Sequence, residues 1–557
     1  MEKSNFWNIN TLLPQEQKEA KKIISLATLE KLASNESSPR KRVLLIDGTQ
    51  PYFKEGKEER KGYFFHSENS QVTDYTNLGI HRIAGYLDKY KVPTKIIRLQ
   101  DFNSEDKRDE LKKIVEESDI LGMSALSPSI EEAFRFCSET KKDFPDKTIV
   151  GGAEHFALDY EWILQNKEIT GIDACCTKQG ELPILSLALG VPEEEVGSLA
   201  YVTEEDEEKI KINKNEDFDR LNENSNFEVG KPSPARPMEK EWMPMIFPEM
   251  SKYFKYCGST QTGSGCAYSC DFCTSENFLG KGVVSTMGTA KKEAEDLYNQ
   301  EVDFMFVRNA LLNASPKHFK EFIEFMKESN DVHKNKMGWF AFMSVKENNE
   351  LRKFKEMADA GCVMVGVGIE DVVGKREELH KGSDLETAVS FIDAAKEHLL
   401  VRALLIMGLP VHYGYSREEI KETTLQFMKK HPQGTYRLNL WTPIVGTEDF
   451  LNNSSVLEKD IRKNPGHFKE HDTMHSVVDP QKMYDKLNIP EEKRWVKSPE
   501  DWIVLRNEIT KEYLESKEHE EFLERLKDKE VVGQKGLLFN IAKDFRDITL
   551  SGLESYN

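Results

Sequence analysis

The sequence predicts an α/β protein in two units, a doubly wound parallel sheet and then a partial barrel of six βα repeats, with a helical segment behind them. Three observations predict it. Short β-branched apolar runs alternate with helical periods across residues 41–198, the alternation resumes across residues 251–450, and an acidic, then proline-rich stretch lies between. A chain of 557 residues is also longer than one hydrophobic core organises.

Taken in order, residues 1–40 read as a polar helical leader without the apolar stretch of a secretory signal. The run RVLLID (Arg42 to Asp47) ends in the turn-forming GTQP and reads as a buried parallel strand. Three further strands follow, KIIRL, ILGMSAL and TIVGG, separated by helical stretches NLGIHRIAGYLDKY, DELKKIVEES and EEAFRFCSETKKD. Residues 199–250 read as a hairpin, LAYVTEEDEEKIKINKN, and an extended linker, PSPARPMEKEWMP. Beyond them DFMFVRN, GWFAFMSV, CVMVGVGIE, VRALLIMGL and TYRLNLWTPI are strand-like and, with one strand expected before Cys266, make six units. From residue 451 to 557 the chain turns charged and helical, and substrate choice is expected to depend on this part. Its Tyr484, Trp495 and Trp502 are candidates to close over a substrate, although such residues more often form plain core.

Composition bounds the function. With 38% hydrophobic and 31% charged residues, no long apolar run and a formal charge of −20, the chain is expected to be cytoplasmic, without a membrane span and without nucleic-acid affinity. Eight cysteines are too few for a disulfide scaffold, and three of them crowd into GSGCAYSCDFC. That crowding points to metal. Zinc would call for a fourth cysteine or histidine soon after Cys273, and none follows. Three soft thiolates on one loop suit an iron-sulfur cluster with one iron left open. Cys257 lies outside the motif and reads as structural, while Cys137, Cys175, Cys176 and Cys362 read as buried small hydrophobes.

In a doubly wound sheet, ligands sit outside the carboxyl ends of the strands. Here those ends carry Asp47, Thr49 and Gln50, then Ser124, Leu126 and Ser127, then Gly151 and Gly152, then Gly180 and Glu181. Small residues there admit a bulky group between sheet and helices. Taken alone, such turns are equally what a ligand-free sheet of flavodoxin type needs to close.

Two resemblances refine this. The spacing Cys266-x3-Cys270-x2-Cys273, with Phe272 before the last cysteine, resembles the signature of radical S-adenosylmethionine (SAM) enzymes. Ser124-Ala125-Leu126 followed by Gly151-Gly152 resembles the S-x-L and G-G elements of cobalamin-binding domains, and the two units in this order resemble the cobalamin-binding radical SAM family. The resemblance implies a Rossmann-like cobalamin domain, a (β/α)6 core, and three cofactors: a [4Fe-4S] cluster, SAM and cobalamin. It assigns the cluster to Cys266, Cys270 and Cys273. VGVGIEDVV, the HKGSDLE helix start and LLIMGLP resemble family segments, which makes Glu370 and Gly408 candidate SAM contacts, with Phe272, Asn309 and Ser344 beside them. Two departures stand out. Asp47-Gly48-Thr49-Gln50-Pro51 lacks the histidine of the D-x-H-x-x-G element that would reach cobalt from below, and no Gly-Gly-Glu follows the second barrel strand.

The implied reaction is methylation of an unactivated carbon in a peptide, lipid or small natural product, with electrons from an external donor such as ferredoxin or flavodoxin. Ring formation, rearrangement or oxidation without methyl transfer is the alternative enzyme class, and a non-turning cobalamin or redox sensor is the alternative outside enzymes. The cysteines of the first unit do not reproduce the extra cluster pattern of methylthiotransferases.

Overall fold

The computed structural model describes residues 23–48, 78–99, 105–126, 129–203, 206–213, 248–280, 284–285, 287–334, 336–345, 353–374, 379–457 and 478–556. Thr49, Gln50, Ser127 and most of the linker, residues 214–247, lie outside them.

The first sheet has seven strands: β1 (Val43–Gly48), β2 (Thr94–Arg98), β3 (Ile120–Ala125), β4 (Thr148–Gly152), β5 (Ala174–Cys176), β6 (Leu199–Thr203) and β7 (Asp206–Asn213). Their order is β2-β1-β3-β4-β5-β6-β7. The first five run parallel, and β6 and β7 add antiparallel at one edge. The sequence assigns the β6–β7 hairpin to the connection between units, yet its hydrogen bonds make it the edge of this sheet. β1 shows why the strands read as unbroken apolar runs. Val43 and Leu45 pack on one face with Tyr86, Leu87 and Leu185, while Leu44 and Ile46 pack on the other with Leu111, Phe134 and Ile163. Because the chain leaves β1 for β2 on one side and returns to β3 on the other, a crevice opens between the carboxyl ends of β1 and β3.

The second sheet consists of β8 (Cys257–Thr260), β11 (Phe304–Val307), β12 (Gly338–Met343), β13 (Cys362–Glu370), β14 (Leu400–Met407) and β15 (Thr435–Leu440), all parallel and hydrogen-bonded in chain order. Two-residue strands β9 (Gly263–Ser264) and β10 (Val284–Ser285) pair antiparallel beside the cysteine loop. Six parallel strands in this order match the six units the sequence predicts. Alternate residues such as Met305, Trp339, Val365, Val401 and Leu438 face the covering helices and pack against Phe319, Phe391 and Ile420.

Two of the C-terminal helices pack at the amino ends of these strands. Phe522 and Leu523 of the helix Lys517–Leu526, with Leu538 and Ile541 of the helix Leu537–Tyr556, pack on Cys257, Phe304, Met364 and Leu400 at the amino ends of the strands. They plug the base. Tyr484 and Trp502 are fully buried, and Trp495 packs against the same core, so these aromatics are core here. Cys257 is part of the base as well, which agrees with a structural reading.

Candidate active site

The carboxyl ends of the first sheet form a row. Asp47 on β1 pairs in register with Ser124 on β3, and Ser124 with Gly152 on β4. Gly180 and Glu181 start the helix after β5. The two glycines of β4 do different things. A Cβ at Gly151 would run into the Phe156 ring, so that glycine serves internal packing. A Cβ at Gly152 would meet only the Met123 carbonyl oxygen, at 3.9 Å, so this strand end is open to a ligand. The next residue, Ala153, has φ 75° and ψ −177°, a region that glycine alone adopts easily, so the edge carries about 1–3 kcal/mol of backbone strain. Burial raises the Glu181 carboxyl above its usual range, partly offset by a backbone N–H and by Arg82.

The cysteine loop follows β8. Cys266 is buried and Cys270 and Cys273 are partly buried. The loop is braced from all sides. Cys266 N–H donates to Gly280 O (3.2 Å), Asp449 N–H donates to Asp271 O (2.9 Å), and His380 Nδ1 lies 2.7 Å from Asp271 Oδ1. Burial pushes the Cys270 thiol up to about 11, with Lys381 opposing and Cys273, Glu370 and Cys266 reinforcing, so the three sulfurs lie within electrostatic reach of one another. Among the described residues no three histidine, cysteine or carboxylate side chains converge as ligands of a single metal ion. Three soft thiolates on one loop, with no fourth cysteine or histidine close behind, suit the corners of an iron-sulfur cluster.

Above the loop, Glu370 ends β13 with φ 69° and is buried. Its Oε1 accepts an ion pair from Lys381 Nζ at 2.8 Å, and the same ammonium lies 5.6 Å from the Phe272 ring centroid. Burial pulls the Lys381 pKa down, but Glu370, Cys270 and Cys273 outweigh it and hold the ammonium above its usual range. Sequence reasoning missed Lys381 as a site residue. The only signal was its place in the HKGS turn, where Gly382 (φ 78°) packs against the Tyr268 ring of the cysteine loop.

Of the remaining candidates, Asn309 is spent on Thr262, accepting its N–H at 2.8 Å and donating to its hydroxyl at 2.7 Å. Ser344 is fastened to Asn313, whose Oδ1 accepts both its N–H (2.8 Å) and its hydroxyl (3.0 Å). Both shape the mouth from behind. Gly408 has φ 77°, and the place of its missing side chain faces the Trp502 indole, so turn geometry and packing require this glycine.

The edges of the two sheets face each other. Arg82, on the helix Leu78–Lys89 of the first unit, donates to both oxygens of Glu293 (2.9 and 3.0 Å) and to Gln261 Oε1 (2.8 Å), just before the cysteine loop. Thr260 adds a hydroxyl to Glu293 at 2.6 Å. Lys178, between β5 and Gly180, donates to the Asn277 carbonyl just after the cysteines.

Residues 260–426 match the family model of the radical SAM superfamily. This barrel is a radical SAM domain. Such a domain takes SAM and a [4Fe-4S] cluster, and the cysteine loop fits that cluster. Among relatives, the anaerobic magnesium-protoporphyrin IX monomethyl ester cyclase of Rubrivivax gelatinosus is 24% identical over 375 residues, which are 64% of this chain and 63% of the cyclase. The chain thus matches less than two thirds of that relative's length. Among solved structures, the radical SAM methyltransferase TsrM of Kitasatospora setae with tryptophan and a SAM analogue aligns over 75% of this chain and 77% of its own, with TM-score 0.56 and 15% identity. The cobalamin-dependent SAM radical enzyme OxsB with aqua-cobalamin aligns over 92% and 80%, with TM-score 0.54 and 16% identity. At these identities the likeness is one of fold. No helix among the described residues is long and apolar enough to cross a membrane.

Proposed function

We propose that the chain is a cobalamin-dependent radical SAM methyltransferase that acts on an unactivated carbon of a small-molecule, lipid or peptide substrate. One observation supports this reading: Arg82 and Lys178 tie the carboxyl edge of the first sheet to Gln261, Glu293 and Asn277, which flank the cysteine loop. An edge facing plain solvent would suit a regulatory domain. An edge facing the radical site suits a second cofactor that shares its substrate.

When bound, the cofactors supply one-electron cleavage of SAM and a carrier for its methyl group. In this reading Cys266, Cys270 and Cys273 hold the cluster, and Glu370 and Phe272 receive SAM, with Lys381 keeping positive charge beside the thiolates. Asn309, Ser344 and Gly408 fix the backbone of that pocket. Asp47, Ser124, Leu126, Gly152, Gly180 and Glu181 line the cobalamin edge, with Gly151 supporting β4 through Phe156 and with Thr49, Gln50 and Ser127 assigned there from sequence. The residues between β1 and the helix Leu78–Lys89 offer no histidine at the D-x-H-x-x-G position, so cobalt would lack that lower ligand. The chain's own task is to orient these groups and exclude water, since no acid-base pair is needed.

Radical ring formation on the same scaffold is the second reading, favoured by the likeness to the cyclase. Protein reconstituted anaerobically with iron, sulfide and cobalamin, then given methyl-deuterated SAM and candidate substrates, separates the two. S-adenosylhomocysteine together with 5′-deoxyadenosine and a labelled product is the expected result. Deoxyadenosine alone would overturn methyl transfer in favour of ring formation, and neither product with any substrate would favour a sensor.

A further inference from the structure

The strand end at Gly152 leads into a carboxyl that none of the assigned contacts uses. Ala153, with its φ of 75°, turns the chain out of β4 into the short helix Glu154–Leu158. His155, Phe156 and Ala157 of that helix are buried, Phe156 against Gly151. Leu158 instead packs on Gly446, in the loop that follows β15, so closely that a Cβ at Gly446 would stand 2.8 Å from Leu158 Cβ. Glu154 lies four residues before Leu158 and shares its face of the helix. The carboxyl is therefore turned toward the barrel, one turn nearer to the open strand end.

The same face borders the cysteine loop. The helix Ser275–Leu279, which begins two residues after Cys273, lies alongside Glu154–Leu158, and its Asn277 donates to Gly446 O at 2.6 Å. In this gap Glu154 is largely enclosed, and among the described residues no hydrogen bond or ion pair reaches its carboxyl. Burial alone raises its pKa above the usual carboxylate range. An enclosed carboxyl without a donor is unfavourable, and a ligand that brings an N–H into the gap removes that cost. The Cα atoms of Gly152 and Glu154 are at most about 7 Å apart, so a group laid over the open glycine reaches the carboxyl next. The rim of a corrin carries primary acetamide and propionamide side chains, and each amide has two N–H donors.

We propose that Glu154 is a cobalamin-binding residue whose carboxylate accepts a side-chain amide N–H of the corrin rim. The inference rests on the cobalamin reading of the first unit and adds to it a polar anchor on the face turned toward the cysteine loop. It does not depend on which radical reaction follows.

The test is equilibrium dialysis of hydroxocobalamin against the cluster-reconstituted full chain, read by the visible absorption of the free cofactor. Glu154→Ala should weaken binding by about tenfold or more, as loss of a hydrogen bond to a charged acceptor does. Glu154→Gln, which keeps an acceptor oxygen without the charge, should lose less. Since the side chain gives up no partner among the described residues, the cobalamin-free variants should melt at or above the wild-type temperature. A second probe fixes the contact: the cobalamin monocarboxylic acids, each with one side-chain amide hydrolysed. One of them should bind wild type markedly more weakly than hydroxocobalamin, because two carboxylates then meet, and Glu154→Ala should erase that difference. Wild-type affinity in Glu154→Ala, or a pattern among the acids that the substitution leaves unchanged, overturns the proposal and leaves the cobalamin reading standing. A lowered melting temperature in both cobalamin-free variants assigns the side chain to the fold and overturns the proposal as well. No cobalamin bound by wild type overturns the reading on which it rests.

Discussion

Nε2 of His412 lies 2.9 Å from Oδ1 of Asp371, and Nδ1 of the same ring accepts the N–H of Gly408 at 3.2 Å. The acceptor role of Nδ1 puts the ring proton on Nε2, so one imidazole ties the end of β13, next to Glu370, to the turn after β14. Asp371 also accepts the N–H groups of Val373 (2.8 Å) and Gly374 (3.1 Å). His412→Phe would strip Asp371 of its side-chain donor and Gly408 of its acceptor, and should cost about 2–3 kcal/mol. A urea midpoint measured beside wild type reads it, and an unchanged midpoint would mean that the turn holds without the ring.

The same pair predicts an acid limb. Burial pushes the Asp371 carboxyl up, but the hydrogen bond from His412 and the two backbone N–H groups outweigh it and hold the pKa below the usual carboxylate value. A depressed folded pKa contributes stability that is fully present above the unfolded value, about 3.9, and is lost as pH falls through the folded one. Asp371→Asn should therefore lower stability at neutral pH and flatten its decline below about pH 4. Thermal melts between pH 3 and 7 give both slopes, and parallel curves for the two proteins would exclude Asp371 as the titrating group.

Lys381 stands between Glu370 and the thiols. A positive charge there stabilises an added electron on a cluster held by Cys266, Cys270 and Cys273, because cluster potential follows local charge and hydrogen bonding. Lys381→Met should shift the midpoint to more negative values, and Lys381→Arg should keep it near wild type. An EPR-monitored redox titration compares them. Cys270→Ala should abolish the visible absorption of the reconstituted cluster altogether.

Arg82 and Glu293 are buried partners from different units. Removing Glu293 alone leaves a guanidinium buried without its carboxylate, so Glu293→Ala should cost about 3–5 kcal/mol. Replacing both by Met should recover much of that loss. Hydrogen exchange on the helices Leu78–Lys89 and Met287–Asn299 localises the change, and an effect spread evenly over the chain would argue against an interface lock.

What the sequence makes legible follows from how local each signal is. β1, β3 and most barrel strands announce themselves because both faces are largely buried and apolar residues dominate the run. The cysteines announce themselves by spacing. β5 is three residues long, and the β6–β7 hairpin alternates polar residues as any edge strand does, so neither says which sheet it joins. Arg82 reads as the polar side of an amphipathic helix until the second unit is docked on it. The helices Lys517–Leu526 and Leu537–Tyr556 read as amphipathic wherever they pack, so their place at the base is not legible in the sequence.

Gly151 and Gly152 are adjacent and look interchangeable, yet only the second borders open space. At Gly151 a methyl group meets the Phe156 ring, which is itself held edge-on by Phe134 at 6.0 Å and cannot withdraw freely. Gly151→Ala should cost about 1–3 kcal/mol through overpacking. At Gly152 the backbone is not left-handed and the added methyl meets nothing closer than 3.9 Å, so Gly152→Ala should change stability by under about 0.5 kcal/mol. If the strand end receives a cofactor, the same methyl stands where that cofactor must approach, and cobalamin binding followed by its visible spectrum should weaken in Gly152→Ala while the melting temperature stays put. Thus one alanine should harm the fold and its neighbour should harm the ligand. Normal cobalamin binding by a fully folded Gly152→Ala protein would remove β4 from the cradle, and the row from Asp47 to Ser124 would have to hold the group without it.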